Sequence, residues 1–69
     1  MAKKSKLTEL HYHEALDRSS ILSNMIDNYL IQHPVCKLDK EVAVLVEEAA
    51  TKLYQAYQLI GQRSIDLFP

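Results

Sequence analysis

Glycine occurs once in this chain of 69 residues, at Gly61, and proline twice, at Pro34 and Pro69. That scarcity excludes a β-rich or loop-rich fold, which would need turn residues at short intervals. Cysteine occurs once, at Cys36, so no disulfide can form within the chain, and a lone thiol points to a reducing, cytoplasmic setting. No apolar run approaches the roughly 20 residues of a membrane span. The start, "MAKKSKLTEL", has positive charge but no apolar stretch behind it, so no signal peptide is expected. Neither sign of charge is in excess: 8 Lys and Arg against 9 Asp and Glu leave a net charge of −1. There is therefore no overall field to draw in nucleic acid. Internal repeats and low-complexity segments are absent as well.

What is present is helical punctuation. Residues 1–7 form a basic arm carrying Lys3, Lys4 and Lys6. Thr8 is a suitable N-cap with Glu9 in the first turn, and Pro34 forces His33 out of helical geometry, so a first helix is predicted over 8–32. "HPVCKL" becomes a turn over 33–38. Asp39 caps a second helix over 39–60, ending at Gly61, which can take a left-handed conformation. The tail, 62–69, contains Ile65, Leu67 and Phe68 and is too apolar to stay wholly undocked. The fold class is all-α: an antiparallel two-helix hairpin.

Projected at 100° per residue, Tyr12, Ala15, Leu22, Met25, Ile26, Tyr29 and Leu30 share one side of the first helix, while Leu10, Ile21 and Ile31 fall off it. In the second helix Val42, Leu45, Val46, Ala49, Leu53, Ala56, Tyr57 and Ile60 form a stripe, which Ala43, Ala50 and Tyr54 widen. A hairpin offers each helix one partner surface, and this stripe is broader than that. Self-association into a homodimeric four-helix bundle is the economical solution. Its interior is expected to centre on Leu22, Ile26, Tyr29, Leu45, Ala49 and Leu53, with Ala15, Ala49 and Ala56 permitting close approach. An apolar stripe with small residues leads into "KLYQAY" (52–57) and then Gly61. In this, and in its length, two-helix plan and short turn, the chain resembles the Rop-like small helical-hairpin proteins. The resemblance implies a dimer of hairpins. It does not carry RNA binding with it, because that role uses a basic outer surface on the first helix, and here Arg18 stands beside Asp17 and Asp27.

The stretch "LHYHEALDR" (10–18) gathers the residues most suggestive of chemistry. His11, Glu14 and Arg18 lie three and four apart and share a side, whereas His13 faces away. His11 and Glu14 are candidate metal ligands, in the reverse order of the Glu-x-x-His pairs of bundle metal sites. Against this, Arg18 repels a cation and the second helix supplies no histidine. A Glu14–Arg18 pair with His11 near the bundle end is the simpler arrangement, and no cofactor or metal is expected. Cys36 near His33 lacks an orienting third group, so catalysis is not expected either. Tyr12, Tyr29, Tyr54 and Tyr57 could stack on bases, but at helical spacing they suit a core edge, with Tyr54 the one placed for an exposed contact. The leading expectation is a non-enzymatic interaction protein, a regulator or inhibitor that dimerises and contacts another protein through Tyr54, Arg18, His11 and Glu14. A nucleic-acid-binding regulator of bacterial, plasmid or phage origin, using the Lys3, Lys4, Lys6 arm and Arg18, and a metal-binding bundle are the alternatives.

Overall fold

The computed structural model describes residues 7–69, which form three α-helices and no strand. The basic arm expected over 1–7 lies outside the described residues except for Leu7, which is exposed. Helix α1 spans Glu9–Met25 and passes directly into a π-helical segment, Ile26–Ile31. Helix α2, Pro34–Leu38, occupies the connection, and helix α3 spans Lys40–Leu67. The expected turn over 33–38 therefore contains a helical turn of its own. Pro34 at its first position suits helix initiation, because the missing N–H would have had no partner there. The His33 imidazole supplies the cap, accepting from the Val35 N–H at 3.1 Å.

The two long helices start where their capping residues place them. Thr8 has extended backbone, and its side chain accepts from the His11 N–H. Asp39 likewise accepts from the Val42 N–H at 3.4 Å. The far end of α3 does not follow the expectation. Gly61 does not stop the helix: its φ is not positive, and α3 runs six residues further to Leu67. Local propensity yields here to packing, since Gly61 faces Leu16 of α1 and the residues after it continue the contact. An added Cβ at Gly61 would meet the Leu16 Cδ2 at 3.6 Å, an ordinary contact. Gly61→Ala is accordingly expected to stabilise the protein by about 0.5–1 kcal/mol, measured by urea denaturation, because it removes mid-helix backbone freedom without a clash.

Helices α1 and α3 run in opposite directions. The Tyr12 ring near the start of α1 packs on Phe68 just past the end of α3, with centroids 5.9 Å apart, so the C-terminal tail is docked. At the other end, Ser23 and Asp27 share a groove with Ala50, Thr51 and Tyr54. Most residues withdrawn from solvent follow heptad spacing: Tyr12, Leu16, Ser19, Ser23 and Ile26 along α1 and into the π-helical segment, and Ala43, Val46, Ala50, Leu53, Tyr57, Ile60 and Ser64 along α3, with Ala15, Ser20, Val42 and Gly61 half-buried beside them. Serine and alanine fill five of these twelve seam positions. The two buried residues of the seam are serines, Ser19 at 8% exposure and Ser64 at 7%. Ser19 bonds its hydroxyl to the Ala15 carbonyl at 2.7 Å and so buries no unsatisfied group.

The π-helical segment shifts the phase of the residues that it carries toward the turn. Its wider turn falls behind 100° per residue. Tyr29, expected in the interior, is 71% exposed, while Ile31, expected off the apolar side, is half-buried. The described chain is a rod of 46 × 20 × 18 Å, about two helix diameters across. A rod of that thickness has no layer beneath its surface. Among the described residues, no apolar side chain is buried.

Candidate interaction surface

With one side of each long helix used in the seam, several of the remaining apolar residues fall together on one flank of the rod, while others, Ile21 and Val44 among them, lie away from it. In projection, Leu22 and Met25 of α1 and Leu45, Ala49, Ala56 and Leu59 of α3 lie to the same side of the seam. All are exposed, Leu22 at 51% and Leu45 at 66%. Of the six residues expected at the centre of the interior, only Ile26 and Leu53 are half-buried within the single chain, whereas Leu22, Tyr29, Leu45 and Ala49 face outward. Of the alanines expected to bring helices together, Ala15 is half-buried, whereas Ala49 and Ala56 are exposed and serines and Ala50 stand in the seam. The opposite flank has a different chemistry. Ser20, Ser23, Asn24, Asp27, Tyr54 and Tyr57 line an open groove there.

The histidine-rich stretch resolves into separate local contacts. The His11 Nδ1 accepts from the Thr8 backbone N–H at 2.9 Å and completes a reciprocal capping box, taking the place glutamate or glutamine usually fills. Glu14 and Arg18 pair at 3.8 Å with both side chains largely in solvent, a contact of about 0.3–0.5 kcal/mol at this helical spacing. His13 turns to Glu9 instead, at 3.7 Å. His11 therefore does not join Glu14 and Arg18 in a cluster. Among the described residues, no three His, Cys, Asp or Glu side chains gather where they could hold a metal ion. His11→Ala is expected to cost about 0.5–1 kcal/mol in thermal or urea denaturation, the worth of a helix cap, and to reduce helicity at the start of α1 first.

The other sequence candidates are similarly occupied. The His33 imidazole caps α2 through Nδ1 and is not directed at Cys36, which is half-buried in that helix. Arg18, the cation expected for a nucleic-acid contact, has Glu14 at 3.8 Å and stays largely in solvent. Tyr54 is exposed and stacks on Tyr57, with centroids 6.1 Å apart and planes 17° from parallel. None of the described helices is long and apolar enough to cross a membrane.

Sequence reasoning missed the part that serine plays. Ser19, Ser23 and Ser64 contribute nothing to an apolar projection, so the projection centred on the leucines of the exposed flank instead. The 3,4 alternation through Ala43, Val46, Ala50, Leu53, Tyr57, Ile60 and Ser64 is the signal that carries the seam. Comparison of the chain with protein-family models, with curated proteins and with solved structures finds no match to any of them.

Proposed function

We propose that the protein is a non-enzymatic binding protein that works as a symmetric pair of antiparallel helical hairpins, on the Rop-like plan. In this reading two rods close their apolar flanks on each other. Leu22, Ile26, Leu45, Ala49 and Leu53 of both copies then form the interior of a four-helix bundle, with Tyr29 at its edge. The observation that carries the proposal is that a folded single chain buries none of its described apolar side chains, while Leu22, Met25, Leu45 and Leu59 stand exposed along one side. Chains of this size need a staple such as a disulfide, a metal or a partner chain, and the sequence has one cysteine. A second copy supplies the missing layer with a self-complementary surface, as twofold association requires.

The polar flank, with its groove, stays outside such a bundle and is where another macromolecule would be met. A small cytoplasmic regulator or inhibitor is the role that this arrangement suits. Sedimentation equilibrium at micromolar concentration should return about twice the chain mass of 7.9 kDa. A cooperatively folded monomer at that concentration would overturn the proposal.

A further inference from the structure

We propose that the groove on the polar flank binds a guanidinium group, as presented by an arginine side chain of a partner protein. The inference rests on the reading of this chain as a binding protein, but not on self-association, since the groove lies on the flank away from Leu22 and Leu45. Its space is about 390 Å³, and it adjoins a second recess of about 260 Å³ lined in part by the same Ser23, Asp27 and Tyr54.

The lining has the chemistry of a cation acceptor. It contains one carboxylate, Asp27, which makes no ion pair with any described residue. It contains no Lys or Arg. The Ser23 hydroxyl is withdrawn from solvent and has no hydrogen-bond partner, whereas Ser19 one turn earlier satisfies its hydroxyl on a carbonyl. Buried polar atoms are ordinarily paired, and a turn of the Ser23 side chain to another staggered rotamer would bring this orphan hydroxyl to the groove, where a ligand can complete the set. Beside it the stacked rings of Tyr54 and Tyr57 offer flat aromatic surface, with Tyr54 open to solvent. Asp27 itself sits in the first turn of the π-helical segment, and such wide turns recur at functional sites.

Each ligand class can be set against that lining. An anion would meet the Asp27 carboxylate. An apolar group would strip water from Asp27 and would leave the Ser23 hydroxyl unpaired. An ammonium ion would satisfy the carboxylate but has no plane to lay on a ring. A guanidinium does both: it is flat, stacks on aromatic faces, and presents a fork of N–H donors to carboxylate and hydroxyl oxygens at once.

The test uses the full chain and three capped tripeptides, acetyl-Gly-X-Gly-amide with X as arginine, lysine or citrulline, followed by backbone amide shifts. The arginine peptide should move the signals of Asn24, Asp27, Tyr54 and Tyr57 and leave those of Leu22 and Leu45 in place. Lysine should bind several-fold more weakly, and uncharged citrulline should leave the spectrum unchanged. Asp27→Asn, an isosteric change at an exposed position, and Tyr54→Leu should each weaken arginine binding by about tenfold or more. Equal response to all three peptides, or an unchanged response in Asp27→Asn, would overturn the proposal. Mass measured on the same samples separates the two readings: a dimer that ignores arginine sinks only this one, and a monomer that binds it sinks only the bundle.

Discussion

Replacing Leu45 by aspartate is expected to abolish the helical circular-dichroism signal at micromolar concentration and 25 °C, while Val44→Asp leaves it intact. Within one chain the two positions are alike: both are on α3, both apolar, and 66% and 52% exposed. Considered as a lone rod, either substitution is a surface change worth within about 0.5 kcal/mol. In the proposed bundle they differ completely. Leu45 enters the interior, and twofold symmetry brings two new carboxylates into it, each costing several kcal/mol in lost hydration. A small domain holds only about 5–15 kcal/mol in total, so one substitution exceeds what the fold can absorb. Val44 points away from the apolar flank and stays in water. Equal behaviour of the two variants would mean that the flank is not an interior.

The second large effect compares neighbours on α1. Leu22 and Ile21 are 51% and 50% exposed in the single chain, yet Leu22 lies on the apolar flank and Ile21 on the far side. Leu22→Ala should lose about 2–5 kcal/mol, the range for truncating a buried leucine, whereas Ile21→Ala should lose well under about 1 kcal/mol. Urea denaturation followed at one fixed chain concentration measures both, because the stability of an assembling protein depends on concentration. A small loss at Leu22 would place the helix phase of the interface elsewhere.

Some of this architecture is legible in the sequence for identifiable reasons. Thr8 and Asp39 act through bonds to residues three away and Pro34 through its hold on the adjacent His33, so their effect survives whatever the distant chain does, and they mark the helix starts. The all-α class follows from the near absence of glycine and proline. Gly61 misleads because its preference for a helix end is weak beside the contacts that Leu16, Ser64 and Phe68 make across the seam. The π-helical segment leaves no local mark in "IDNYLI", yet it moves Tyr29 outward and Ile31 inward. The helix-facing side was hidden because serine reads as polar while packing as a small residue. At the candidate surface, the Glu14–Arg18 spacing is transparent, whereas His11 as a capping partner was obscured by the custom of finding glutamate there.

The meeting of Tyr12 with Phe68 has a kinetic consequence. These residues are 56 positions apart (68 − 12), the far end of a contact ladder whose near end is the short α2 connection. Closing a loop costs conformational entropy that grows with the logarithm of its length, so pairing propagates cheaply from the connection outward and the aromatic contact forms last. The two helices therefore zip, and they open in reverse. Amide hydrogens near His11 and Ser64 should exchange with solvent through brief fraying, while those around Ile26 and Val46 wait for the whole rod to separate. Protection from exchange then rises steadily along the molecule from the chain ends toward the turn, and a protease would begin its work at the Tyr12–Phe68 end.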